Sequence, residues 1–545
     1  MSTVTQTALV KKTIETNIAS RLDHIARSHP QLPALIEGSR SSGSKIDFRA
    51  LSKKVARRAG VLKEHGVHTG DCVLIIEPMS IELFTSILAV FKLGATVLIL
   101  DPSAGIEKLT YAIERTKPRA VIASAKGVMV TVAISSLRRI KLKFSDGFAA
   151  PGWFSLREST WHRSAQTEPV SGDTPALITL TSGTSGAPKL IVRSHDFLRT
   201  QLEVVSSNCC VQEGGCELTS LPVFILANLA SRVTSVIPNT DLSKAAKVNS
   251  AAVVEQIQGH YPDRILASPS FVESLMDHCI TNGIKLTFVK TVITGGGPVF
   301  PRLLKKANAV CPRAEIITVF GSTEAEPVSK ITYSSLSARD MHAIANGAGL
   351  PVGIPVDEVK IRISPLVHEA NELNDADRLS ALRHICEVAN IPLNAVGEII
   401  VTGDHVVKGY AEGVGDAESK VEIGGEIWHK TGDVGYIDRT GRLWLTGRKT
   451  ASQAVSKQNK IDTTLAQCVE AVALLDDSVS RAACLTVNNI TTLFVETEDK
   501  RSFDIWAIKD RLNWGNLSTI KIVRKIPVDA RHNSKVLYNK LARSA

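Results

Sequence analysis

Thr181-Ser182-Gly183-Thr184-Ser185-Gly186-Ala187-Pro188-Lys189 packs hydroxyls and glycines into one short loop and closes it with a lysine. The apolar run Pro175-Ala176-Leu177-Ile178-Thr179-Leu180 leads in and reads as a buried strand. Glycines let several backbone N–H groups turn toward one point, hydroxyls add donors, and the lysine adds positive charge. Such a loop suits the phosphates of a nucleotide. Read alone, its composition favours a plain Ser/Gly surface loop. It is not a Walker loop, because G-x-x-x-x-G-K-[ST] is absent.

Working outward, helix and strand signals alternate. Ala50 to Glu64 reads as helix, Cys72 to Ile76 as strand, Ile81 to Leu93 as helix and Thr96 to Leu100 as strand. That order predicts parallel βαβ units. It recurs from Leu177 through Thr294, where the strand signal Val289 to Ile293 runs into Gly295-Gly296-Gly297-Pro298. Ligands of such sheets bind beyond the carboxyl ends of the strands. The loop, the triple glycine and Phe320–Glu324 all follow strand signals, so they are expected to converge on one cleft. From about Gly349 the texture changes to short strands and turns, at Gly349 to Pro355, Gly397 to Thr402 and Gly409-Tyr410. Leu373 to Ala389 is a charged helical insertion with no chemistry assigned to it.

Composition narrows the class. A chain of 545 residues exceeds one compact core, so two or three domains are expected. Hydrophobic residues at 44% and charged residues at 22% are those of a soluble globular protein. The longest apolar stretch, Ser86 to Leu100, is broken by Lys92 and is too short to span a bilayer. No basic segment followed by an apolar one marks a secretory signal. The nine cysteines form no C-x-x-C pair. Neither a disulfide framework nor a zinc site is indicated, and a cytoplasmic, reduced compartment is expected. Cys209, Cys210 and Cys216 raise metal binding, but no histidine stands among them. The +10 formal charge is spread along the chain, which argues against nucleic acid and suits ATP, pyrophosphate and an anionic acid. The densest basic cluster, Arg138-Arg139-Ile140-Lys141-Leu142-Lys143, alternates with apolar residues and predicts a half-buried strand.

Four further segments follow the loop in a fixed order. They are Val319-Phe320-Gly321-Ser322-Thr323-Glu324, then Thr431-Gly432-Asp433, then Gly447-Arg448, and finally Pro527-Val528-Asp529-Ala530-Arg531-His532-Asn533-Ser534-Lys535. With the loop they resemble the adenylate-forming superfamily of acyl-CoA synthetases, luciferases and peptide-synthetase adenylation domains. The likeness covers nearly the whole chain. Asn17 to Leu35 is similar to the family's opening helix; Gly66 to Asp71 and Gly94-Ala95 to Asp101-Pro102 are similar to its first Rossmann-like strands and turns. The implied fold is α/β. A large N-terminal domain, residues 1–447, would hold two doubly wound sheets plus a distorted β-barrel. A small mobile α+β C-terminal domain, residues 448–545, would carry the adenylation lysine.

The resemblance also implies roles. Thr181, Ser182, Gly183, Thr184, Ser185, Gly186 and Lys189 would surround the β- and γ-phosphates of ATP. Phe320, Gly321 and Ser322 would border the nucleotide, Thr323 would contact the α-phosphate, and Glu324 would ligate Mg²⁺. Asp433 would accept bonds from the ribose hydroxyls, with Arg448 beside it. Gly295, Gly296, Gly297 and Pro298 would make a wall for adenine and a floor for the acyl chain. Phe224, Ile225, Gly295 and Val319 would line the acid pocket. Lys535 would bridge the carboxylate and the α-phosphate, with Lys540 as the competing candidate. Taken singly, Glu324 is a solvated charge, Asp433 a turn residue and Lys535 an exposed lysine near a chain end; their order gives them weight.

Three departures stand out. Leu221-Pro222-Val223-Phe224 is followed by Ile225 where the family usually has His, which puts standard CoA handling in doubt. Ser534 replaces the usual Gly before the C-terminal lysine, and Tyr538 the usual Arg beyond it. Lys449-Thr450 stands where an acidic hinge residue is common. Pro527 to Lys535, Gly321 to Val328 and Gly447-Arg448-Lys449 are similar to the olefin β-lactone synthetase branch. That likeness implies activation of a fatty or 3-hydroxy acid, with the substrate's own hydroxyl displacing AMP. The alternatives are an acyl-CoA synthetase using CoA or a carrier-protein thiol, and an inactive acyl- or nucleotide-binding relative.

Overall fold

The computed structural model describes residues 16–39, 41–100, 105–146, 151–156, 164–181, 188–209, 211–242, 247–366, 376–449, 461–497, 503–529 and 533–544. Ser182 to Ala187, Asp101-Pro102, Cys210, Thr450, Arg531 and His532 lie outside them. The chain is mixed α/β and divides into two compact units: residues 1–182, 188–266 and 409–414, and residues 183–187, 267–408 and 415–545.

The first unit holds a seven-stranded sheet in the order Phe154–Ser155, Leu142–Ser145, Ala120–Ala123, Cys72–Ile76, Thr96–Ile99, Pro175–Thr181, Lys189–Ser194. All neighbours are parallel except the last pair. Cys72–Ile76 pairs with the strand that follows it on one side and the next on the other, so it marks the switch point of a doubly wound sheet. Val73, Leu74, Val97, Leu98, Val121 and Ile122 are buried, as parallel strands covered by helices require. A second sheet runs Cys216–Thr219, Thr234–Ile237, Pro33–Glu37 in parallel, with antiparallel Ser44–Asp47 at its edge.

In the second unit Thr291–Gly295 pairs in parallel with Glu315–Ser322. From there the order Ala325–Thr332, Leu350–Pro355, Leu443–Arg448, Glu426–Ile437, Gly397–Thr402, Lys360–Pro365 is antiparallel throughout. The strands expected to curl into a distorted barrel thus lie in an open order, and no barrel closes among the described residues. A smaller C-terminal domain follows, with four strands ordered Ile461–Asp462, Val479–Val487, Ile490–Thr497, Thr519–Val523. Its core includes Val469, Val472, Leu493, Val495 and Ile508, with Phe300 and Trp514 packed against it. Arg302 Nη2 donates to Ser480 O at 2.9 Å, and Trp514 stacks on His384 with ring centroids 5.0 Å apart.

Several boundaries differ from the sequence expectation. The opening helix is Ser20–Ser28, and Pro33–Glu37 is already strand. The helix expected from Ala50 starts at Phe48, because Asp47 accepts from Ala50 N and caps it. Arg138 to Lys143 is not one strand: Ser135–Arg138 is a helical turn and the strand begins at Leu142. Two short elements there together mimic one alternating pattern. The insertion is helical over Ala376–Ala389, with Leu382 and Ile385 in the core.

Candidate active site

In the first unit the signature loop joins two antiparallel strands, not a strand and a helix. Thr181 and Lys189 face each other across the hairpin and close it. Among the described residues Thr181 Oγ1 is buried without a hydrogen-bond partner. Lys189 is 5% exposed, with its Nζ 4.9 Å from the centre of the Tyr410 ring. A cation over an aromatic face is held by the ring quadrupole without being neutralised. Phe224 and Ile225 lie in the helix Pro222–Ala230, both buried.

In the second unit Glu315–Ser322 and Ala325–Thr332 form a tight hairpin with Thr323 and Glu324 at its tip. Ser322 pairs with Ala325, and the register slips at Gly321. A Cβ on Gly321 would lie 2.8 Å from Ala325 O, so only glycine lets the strands approach there. Ser322 Oγ accepts from Glu324 N at 3.3 Å, and Glu324 O accepts from Val407 N at 2.8 Å. The turn is thereby fixed on both sides. Phe320 packs against the sheet core, and Val319 is buried beside Gly295, its register partner. Gly296 takes φ +80, and Gly297 and Pro298 follow it.

Asp433 and Arg448 are cross-strand partners. Their side chains form an ion pair at 3.1 Å from Oδ1 to Nε, yet Arg448 Nε lacks a well-aligned hydrogen bond. Thr431 Oγ1 accepts from Asp433 N at 3.0 Å and donates to Ile399 O at 2.8 Å, and Gly432 turns between them at φ +73. Burial holds the Asp433 carboxyl above its ordinary value. Arg448 and then Lys535 pull it back, and Glu324 adds to the rise. Arg448, Lys535 and Glu324 therefore each lie within electrostatic reach of Asp433.

Lys535 is exposed and lies at the end of a small closed loop. Val528 bridges to Val536, Asp529 N donates to Lys535 O at 2.9 Å, and Asp529 Oδ1 accepts from Lys535 N at 2.8 Å. Beyond it, Tyr538 Oη donates to Glu470 Oε1 at 2.7 Å. Lys540, the competing candidate, is also exposed, on the short helix Tyr538–Leu541. Thr431, Asp529 and Tyr410 were not singled out as positioning residues from the sequence. Thr431 and Asp529 stood inside quoted motifs and could have been; Tyr410 carries no local signal for its place over Lys189.

The first unit offers a buried cation beside a buried hydroxyl; the second offers an exposed cation, a carboxylate on a fixed turn and a second carboxylate on a β-ladder. Residues 22–411 match the AMP-binding enzyme family. The olefin beta-lactone synthetase of Stenotrophomonas maltophilia is 27% identical over 557 residues, covering 96% of this chain and 97% of the relative. Amide bond synthetase McbA from Marinactinospora thermotolerans has a TM-score of 0.76 at 20% identity, covering 97% of this chain and 99% of that one. O-succinylbenzoate coenzyme A synthetase (MenE) from Bacillus subtilis, solved with ATP and magnesium ion, has a TM-score of 0.70 at 18% identity, covering 96% and 99%. No helix among the described residues is long and apolar enough to cross a membrane. The chain belongs to the AMP-binding enzyme family and is an adenylate-forming acid ligase.

Proposed function

We propose that this ligase activates a 3-hydroxy acid and closes it to a β-lactone. In the first step a carboxylate oxygen attacks the α-phosphorus of ATP, and the bond to pyrophosphate breaks. Two anions must meet, so charge has to be neutralised in a fixed geometry. Thr181 and Lys189 take the β- and γ-phosphates, Thr323 the α-phosphate, Asp433 the ribose hydroxyls, and Lys535 the carboxylate as it attacks. Glu324 supplies a hard oxygen on an anchored turn, and its negative field is felt at Asp433. That donor chemistry fits Mg²⁺, which favours a carboxylate together with substrate phosphates and would neutralise them when bound.

In the second step the 3-hydroxyl oxygen attacks the acyl carbon and the bond to AMP breaks. The hydroxyl proton ends on the departing phosphate. The observation that carries this reading is the full-length likeness to an olefin beta-lactone synthetase, joined to the resemblance of the Pro527 to Lys535 segment to that branch. Ile225 adds support, being buried and unable to titrate or donate where thiol-using relatives usually have His. A well-placed internal hydroxyl has an effective molarity on the order of 10⁵ M or more, enough to outrun water and an external thiol. We place the boundary of the swinging C-terminal domain at Arg448, which such a two-step cycle needs.

Mass analysis of products from a 3-hydroxy acid with ATP alone tests the proposal. A product lighter than the acid by one water, formed with AMP, is expected. Strict dependence of AMP release on CoA or a carrier thiol would assign the second step to thioester formation. Absence of acid-dependent pyrophosphate exchange with every acid tried would favour a binding-only relative.

A further inference from the structure

Ser534 stands beside the adenylation lysine, where the family usually has glycine. Its backbone is held hard: Asp529 Oδ1 accepts from Ser534 N at 3.2 Å, and Asn533 just before it adopts φ +50. Asn tolerates that left-handed conformation better than most residues. The hydroxyl is therefore aimed by the loop. A Cβ built on Gly297 would lie 2.7 Å from Ser534 Oγ and 3.2 Å from Ser534 Cβ, so the side chain fills the space that Gly297 leaves open. Ser534 Oγ is buried and has no hydrogen-bond partner among the described residues. A hydroxyl taken out of water without a partner is unfavourable, and the natural way to satisfy it is a bound molecule.

We infer that Ser534 reads the 3-hydroxyl of the acid. Lys535 holds the carboxylate in the proposed mechanism. The 3-hydroxyl lies two carbons further along the chain than that carboxylate. Ser534 Oγ faces Gly297, part of the glycine wall expected to floor the acyl chain. Ser534 can donate a hydrogen bond to the substrate hydroxyl or accept one from it, orienting it for attack on the acyl carbon. Thioester-forming relatives with glycine at this place have no such group. The inference rests on the β-lactone reading and names a specificity-determining residue within it.

The test compares pyrophosphate exchange for a 3-hydroxy acid and for the same acid without the hydroxyl. In Ser534→Ala the preference for the hydroxy acid, as a ratio of kcat/KM values, should fall by about tenfold, the usual scale of one hydrogen bond. An unchanged ratio overturns the assignment, whatever happens to the absolute rates. Gly297→Ala should slow exchange with both acids by crowding Ser534, and adding Ser534→Gly should restore the rate for the acid lacking the hydroxyl. Failure of that rescue would overturn the juxtaposition itself. Loss of lactone formation in the wild type, with the ratio still sensitive to Ser534→Ala, would instead strike the β-lactone reading and leave Ser534 as a reader of the hydroxyl.

Discussion

In the proposed mechanism Lys189 and Lys535 bring the same charge to adenylation by opposite means. Lys189 is built into a sheet, 5% exposed, beneath the Tyr410 ring. Lys535 is exposed, and Asp529 ties down its backbone. A buried cation acts on bound phosphate before and during reaction alike, so it serves binding. An exposed lysine on a tethered loop can be delivered as the transition state forms, so it serves rate. The contrast predicts that the two lysines separate in kinetics and in stability.

The largest expected effect is at Lys535. Lys535→Ala should lower acid-dependent pyrophosphate exchange by about 100-fold or more, the scale of losing one preorganised charge contact. Its melting temperature should stay within a degree or so of wild type, as exposed substitutions usually do. A comparable loss in Lys540→Ala instead would move the role to that residue.

Asp433→Asn comes next. Ribose would lose a charge-assisted acceptor, roughly 1.5–3 kcal/mol, which should raise KM for ATP by about 10- to 100-fold. Burial raises the Asp433 carboxyl above its ordinary value, and the proposed ribose contact needs it ionised. Wild-type KM for ATP should therefore begin to rise, as pH falls, sooner than a solvated aspartate would allow, and Asp433→Asn should erase that acid limb. An unchanged KM would remove the ribose assignment.

Lys189→Met should cost less in rate but touch both properties. KM for ATP should rise by roughly tenfold as one phosphate contact goes, and the melting temperature should shift because a buried cation–π contact is lost. Sensitivity in kcat alone, with stability intact, would collapse the distinction between the two lysines.

The smallest effect is on pH dependence of the C-terminal domain. Burial pushes Glu470 from 4.5 up to about 7, against the opposing bonds from Tyr538 and Cys484 N. A carboxyl raised in the folded state binds its proton more tightly there than in the unfolded chain. Its contribution is complete below the unfolded value and is lost as pH rises through about 7. Glu470→Gln keeps an acceptor for Tyr538 and should flatten the fall in melting temperature over that window. An unaltered profile would place the pH dependence elsewhere.

The order of motifs made the family legible because each part of the expected chemistry needs particular residues: glycines for the turns, an acid at Asp433 for the proposed ribose contact, a lysine at Lys535 for the proposed carboxylate contact. Strand positions such as Gly397–Thr402 were legible because a buried apolar run has one reading. Register was not. That Asp433 opposes Arg448 depends on where Glu426–Ile437 slides against Leu443–Arg448, which no local pattern records. Nor could the chain announce that Ser534 meets Gly297, since that contact is made by tertiary packing across distant segments. Arg138 to Lys143 misled for a related reason: a helical turn followed by a strand can reproduce strand alternation over a few residues.

Gly321 has a practical consequence for anyone wishing to change what this enzyme accepts. With Ala325 O only 2.8 Å from where its β-carbon would sit, any side chain there would pry open the hairpin that carries Thr323 and Glu324 at its tip. Mutant libraries should leave that residue alone and spread diversity over the acyl-facing wall, where altered selectivity need not come at the expense of nucleotide handling.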